Sequence, residues 1–139
     1  MKTKKQSATL LILVLVGLTG LVHAQMGTTI KAQVPFSFVA NGKTMPAGEC
    51  TIQITVNGRT ALSISSGQQH AFALPMANES SNRSKKTALV FHQYGDRYFL
   101  AGIKRADTIG YEFPASKLET ELRAANVPEQ VFTLLASVE

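Results

Sequence analysis

Cys50 is the only cysteine in the chain. A lone thiol cannot close an intramolecular disulfide, even in an oxidising compartment, and it rules out the paired-cysteine zinc motifs. It falls in phase with the apolar positions of the run Cys50-Thr51-Ile52-Gln53-Ile54-Thr55-Val56, where it reads as a small buried hydrophobe. Histidine is almost as scarce. There are three, and His23 lies in the N-terminal leader, so a catalytic argument has only His70 and His92 to start from. No Gly-x-Ser-x-Gly elbow is present, and this removes the usual support for a Ser-His-Asp hydrolase. Charged residues make up only 17% of the chain. Repeats, coiled-coil heptads and low-complexity tracts are absent, and so is an apolar run of the roughly 20 residues a spanning helix needs.

The leader itself has three parts. Lys2, Lys4 and Lys5 precede the uncharged 15-residue run Ala8 to Val22, and Val22-His23-Ala24 supplies tolerated residues at a cleavage site. This pattern predicts a secretory signal peptide cut after Ala24, with no stable membrane span afterwards. No cysteine lies near the cut, which disfavours a lipid anchor. Loss of the three lysines leaves eleven basic against nine acidic residues, so the net charge falls from +5 to +2. The alkaline balance belongs to the export signal, and nucleic acid is excluded as an expected partner.

Beyond the leader the pattern is β. Gln25 to Ile30 reads as a loose segment, and Lys31 to Ala40 as a strand with Val34, Phe36, Phe38 and Ala40 on one face, Pro35 confining its start to an edge or bulge. Glu49 to Val56 alternates strictly, Asn57-Gly58 turns the chain, and Arg59 to Ser65 returns. Gln68 to Ala77 alternates again, with His70, Phe72, Leu74 and Met76 on one face and Ala71, Ala73 and Pro75 on the other. Four such strands predict an antiparallel meander.

After a polar loop, Asn78 to Lys86, comes the hairpin Thr87 to Lys104, folded at Gly95-Asp96. A two-residue turn there pairs His92 with Phe99, Phe91 with Leu100, Val90 with Ala101 and Ala88 with Ile103. The hairpin is apolar on both surfaces, which predicts a central pair covered on both sides. Arg105 to Pro114 reads as irregular. Ser116 and Glu119 form a capping box opening a helix to Ala125, with Leu118 and Leu122 as a stripe to lie against the sheet. Val131 to Val138 is compatible with either strand or helix.

Few residues offer chemistry. His92 next to Phe99 reads as a core histidine rather than a metal ligand, since His70, His92, Asp96 and Cys50 are scattered singly. Tyr94, Asp96, Arg97 and Tyr98 cluster at the hairpin end, where two tyrosines and a charge pair are able to grip a sugar or peptide, although turn chemistry alone explains Asp96. With His92 they are the candidate ligand contacts. Arg83, Lys85 and Lys86 read as a solvated basic cluster. Asn78-Glu79-Ser80 and Asn82-Arg83-Ser84 are sequons that matter only where exported chains are glycosylated.

Two stretches carry a family signature: VPFSFVANGKTMPAGECTI, Val34 to Ile52, and LVFHQYGDRYFL, Leu89 to Leu100. In these, through F-x-F-x-x-x-G-x-x-x-P-A-G and F-H-x-Y-G-D-R-Y-F-L, the chain resembles a family of small exported bacterial proteins of unknown function. The likeness extends over most of Val34 to Leu122, including Pro114 to Lys117. It implies no catalytic or binding residue. The family usually has tyrosine where this chain has Cys50, which implies a packing role for that position.

The sequence therefore predicts a signal peptide over 1–24 and one domain over 25–139. The fold expected is mainly β, an antiparallel sandwich or partly open barrel of about seven short strands with one helix in the C-terminal half. The function expected is an exported, non-enzymatic binding or structural module of the periplasm or extracellular space, taking an envelope protein or glycan and using no cofactor or metal. The rival expectation is a small secreted hydrolase or metal-dependent enzyme using His92 and Asp96.

Overall fold

The computed structural model describes residues 27–79, 84–106 and 108–139. The signal peptide, Arg83, and the sequon positions Ser80 and Asn82 lie outside the described residues. The described residues form a mainly β sandwich of two sheets with one helix, as the alternation predicts.

The first sheet contains β1 (Thr28–Val34), β4 (Gly48–Asn57), β5 (Arg59–Ser66) and β6 (Gln69–Ala73), antiparallel in that order, with β12 (Ser137–Val138) on the outer side of β1. Strand β1 begins within the stretch read as loose, because Thr28 and Ile30 pair with Ile54 and Ile52. The inward residues form rows across the sheet. Ile30 stands opposite Ile52, Ile52 opposite Ile64, and Ile64 opposite Ala71. Cys50 sits in the adjacent row between Ala32 and Ser66 and is fully buried.

At β6 the small residues face in and the large ones out. Ala71 and Ala73 are buried, whereas Phe72 is 70% exposed and Leu74 and Met76 are nearly as open. Pro35 splits the strand expected over Lys31 to Ala40. Its missing N–H interrupts the ladder, and the chain crosses to the other sheet as β2 (Phe38–Ala40), which pairs with β3 (Lys43–Met45) and runs parallel to the next hairpin at Val39 and Phe99.

The second sheet is built on β8 (Ala88–Tyr94) and β9 (Arg97–Lys104), flanked by β11 (Glu129–Leu135) on one side and by β10 (Gly110–Glu112) and β7 (Met76–Asn78) on the other. Gly95, at φ 62°, makes the turn, a left-handed backbone that glycine adopts without steric cost. Near the turn the register is the expected one, with His92 opposite Phe99 and Phe91 opposite Leu100. Beyond it the pairing slips by one residue, so that Val90 faces Gly102 and Ala88 faces Lys104. Leu100 and Ile103 are an odd number of residues apart, and a bulge at Ala101 lets both reach the core. The freed Ala101 carbonyl accepts from the Phe113 amide at 2.9 Å, so part of the stretch read as irregular is β10.

Leu89, Phe91, Leu100 and Ile103 close the core against the first sheet, together with Phe38 and Met45. The tail that sequence left open between strand and helix is β11, paired along its length with β8.

Helix α1 (Lys117–Ala124) starts where the capping residue predicts. Ser116 Oγ accepts from the Glu119 amide at 3.2 Å. Only that half of the capping box forms. The face that meets the sheet also differs from the expectation: Leu118 is 37% exposed, and the one buried residue of the helix is Glu119.

Candidate functional site

Alternation along β8 sends Leu89 and Phe91 into the inter-sheet core and His92 and Tyr94 to the opposite face, where α1 lies. Phe99, opposite His92, makes an edge-on ring contact with Tyr94 at 5.7 Å and supplies the apolar floor. Helical spacing brings Glu119 and Arg123 to one side of α1, and pairing of β11 with β8 sets Glu129 opposite Tyr94. Five polar side chains from three elements thereby meet over one patch of the sheet.

Their contacts form a closed network. His92 Nδ1 and Glu119 Oε1 are 2.6 Å apart. The Tyr94 hydroxyl is 3.0 Å from Glu119 Oε1 and 2.6 Å from Glu129 Oε2, and with one proton it donates to the nearer carboxylate. Arg123 donates from Nε to the Tyr94 oxygen at 2.8 Å and to Glu129 Oε2 at 3.2 Å, and from Nη2 to Glu119 Oε1 at 3.1 Å.

The 2.6 Å contact assigns the proton on His92 Nδ1, since a carboxylate oxygen only accepts. Arg123 Nη2, 3.2 Å from the same nitrogen, is then a neighbouring donor rather than a partner. Burial, followed by the bond to Glu129, drives the Tyr94 phenol well above its ordinary range, and it stays neutral. The Tyr94 hydrogen bond is also the largest influence holding Glu129 below the usual carboxylate value and Arg123 above its own.

Beside this network opens a cleft of about 340 Å³. His92, Glu119 and Arg123 form one wall, and Asn78, Lys104 and Glu112 bring further polar groups to it. Val90, Met76 and Phe113 make the apolar side. Gly102 keeps the bottom low, because a Cβ there would come within 2.7 Å of the Tyr111 carbonyl oxygen. The Asn78 amide donates to Glu112 Oε1 at 2.5 Å, tying β7 to β10 along the rim. A carboxylate-held imidazole in a cleft is equipped for proton transfer, but none of the described lining residues is Ser, Thr or Cys.

The candidate residues at the hairpin end divide between two places. His92 and Tyr94 belong to the network. Asp96 and Arg97 are exposed at the turn, and Tyr98 points to the other side of the sheet, stacked on Phe36 with centroids 3.7 Å apart and planes 12° off parallel. Those three line a separate cleft of about 320 Å³ with Phe38, Val39 and Leu118. The carboxylate against His92 is Glu119, not Asp96, and the imidazole is a partly open hydrogen-bonding group rather than core filler. His70 lies elsewhere on the surface, with Nδ1 2.9 Å from Ser65 Oγ.

Glu119, Arg123 and Glu129 were not among the sequence candidates. The signal for the first two was their spacing of four on a helix, which ordinarily marks a solvent-facing ion pair; Glu129 gave none. Comparisons with family models, curated proteins and solved structures find no match to this chain.

Proposed function

We propose that this protein is an exported, non-enzymatic binding module that holds a glycan in the cleft between α1 and the β7–β10–β9 side of the second sheet. The observation that carries this reading is the composition of that cleft. The hydrogen-bonding side chains Asn78, Glu112 and His92 surround an apolar side that includes Val90 and Phe113. Sugars present the same combination of hydroxyl edges and weakly apolar ring faces, and aromatic side chains favour the latter. The volume is near the lower end of small-molecule sites, which run from roughly 300 to 1,000 Å³, so it suits one or two sugar rings. The signal-like leader and the family resemblance support a periplasmic or extracellular location, where envelope glycans are available as ligands.

The test is saturation-transfer NMR of the purified protein with neutral and N-acetylated mono- and disaccharides. Binding to one site, weakened at least tenfold by Glu112→Gln or Asn78→Ala, is expected. Saccharide contacts indifferent to both substitutions would refute the reading.

A second reading rests on the 2.6 Å approach of His92 to Glu119: an acid–base enzyme in which Glu119, in place of Asp96, orients the imidazole. Turnover of chromogenic glycosides or esters that disappears in His92→Gln would give that reading first place.

A further inference from the structure

The network leaves two donor atoms unspent. Glu129 Oε2 takes the bonds from Tyr94 and Arg123, and the hydrogen bonds of the network do not reach Oε1. His92 Nδ1 is engaged with Glu119, which leaves Nε2 to face Glu129 Oε1 at 3.7 Å. With the ring proton on Nδ1, a neutral imidazole presents a bare lone pair at Nε2 to a carboxylate oxygen. Two acceptors so close repel unless something positive lies between them: a proton on Nε2, or a metal ion. Bonds of 2.0 to 2.2 Å to nitrogen and oxygen place tetrahedral ligands about 3.4 Å apart, so a small contraction would let one ion join both atoms.

We infer that His92 Nε2 and Glu129 Oε1 form an open binding site for a divalent transition-metal ion of the zinc type, completed by water. The surroundings match what such a site uses. A carboxylate on the other ring nitrogen, here Glu119, fixes the tautomer and turns Nε2 to the metal, and the hydrogen bonds of Tyr94 and Arg123 to Oε2 hold the Glu129 carboxylate in place. One donor atom from each of His92, Glu119 and Glu129 lies within 4.8 Å of the other two, so Glu119 stands close enough to shift from orienting the ring to ligation. His92 and Glu129 side chains are 24% and 34% exposed, which gives an ion access from solvent. An imidazole nitrogen beside a carboxylate selects zinc, nickel or cobalt over magnesium and calcium, which prefer all-oxygen shells. This inference shares His92 with the glycan reading, but the substitutions that test that reading are at Glu112 and Asn78, so the two fail separately.

The experiment is titration of metal-free purified protein with zinc chloride by calorimetry, with magnesium chloride as control and cobalt absorption as a report on ligand type. Uptake of one zinc equivalent and no magnesium is expected, with affinity at least tenfold lower in both His92→Gln and Glu129→Gln. In Arg123→Gln the Tyr94 hydroxyl still holds Glu129 Oε2, so loss of the positive charge beside the carboxylate should tighten zinc binding, a gain that a folding defect cannot mimic. Absence of zinc uptake by both the wild type and Arg123→Gln would overturn the inference. So would uptake that neither His92→Gln nor Glu129→Gln weakens.

Discussion

Replacing Glu119 by leucine should release helix α1 from the sheet. Glu119 is 3% exposed and is the sole buried residue of an eight-residue helix. Its Oε1 lies 2.6 to 3.1 Å from His92 Nδ1, the Tyr94 hydroxyl and Arg123 Nη2. Breaking a buried charge network by removing one partner costs about 3–5 kcal/mol. The lower end applies here, because Tyr94 and Arg123 keep Glu129 as a partner and only His92 Nδ1 loses its acceptor. An effect of about 3 kcal/mol corresponds to roughly 10 °C in Tm for a domain of this size. Glu119→Gln keeps the shape and one acceptor oxygen and should lose about half as much, since hydrogen bonds to charged groups are worth about twice neutral ones. Differential scanning calorimetry gives the size of the loss, and hydrogen exchange gives its location. Amides of 117–124 should lose protection first, while those of β4 and β5 keep theirs. A Tm change under about 2 °C in Glu119→Leu, with the helix amides still protected, would show that Leu118 and Leu122 hold the helix and that the polar network is incidental.

Four further outcomes follow from single positions. Burial pushes the Cys50 thiol up to about 12, against about 8.5 for an open one, so at pH 8 native protein should react with a maleimide about a thousandfold more slowly than protein in denaturant. Gly102→Ala places a Cβ 2.7 Å from the Tyr111 carbonyl and must push β10 aside, which should lower stability by about 2 kcal/mol in urea titration. Glu129 has a lowered folded value, so its contribution is full above the ordinary carboxylate range and is lost as pH falls through that lowered value, whereas Tyr94, raised, contributes fully below about pH 10 and loses its share as pH rises further. Tyr94→Phe should therefore flatten the urea midpoint against pH at both ends. Phe72→Ser, at a side chain 70% exposed, should change stability by less than about 0.5 kcal/mol, while Ala71→Leu beside it should cost about 1–3 kcal/mol.

The sandwich was legible because its strands obey short-range rules. Alternation in Glu49 to Val56 and the turn at Gly95 depend on nearest neighbours, and both appear where the sequence puts them. The departures come from competition between levels. Nothing near Ala101 announces a bulge; it arises because Leu100 and Ile103 must both reach a core supplied by a distant sheet. At β6 the pattern separates two faces but does not rank them, and the larger side chains face water because inward space beside Ile64 fits alanine.

The polar network was harder to read because sequence logic treats a buried Glu as an anomaly and an exposed Leu as an error, and α1 contains both. Ser116-x-x-Glu119 has the form of a reciprocal cap, yet the carboxylate leaves its own helix end for His92 and Tyr94. Leu118, read as a docking residue, instead lines the second cleft beside Tyr98. A helix so short with one buried residue has little hydrophobic attachment, so the polar contacts decide where it sits. The same contacts decide which atoms are open to a ligand: Glu119 fixes which nitrogen of His92 is free, and Tyr94 and Arg123 fix which oxygen of Glu129 is free. Attachment of the helix and presentation of the two unspent donor atoms are thus one arrangement. A substitution that loosens α1 should therefore impair binding at the cleft, even where it touches no ligand.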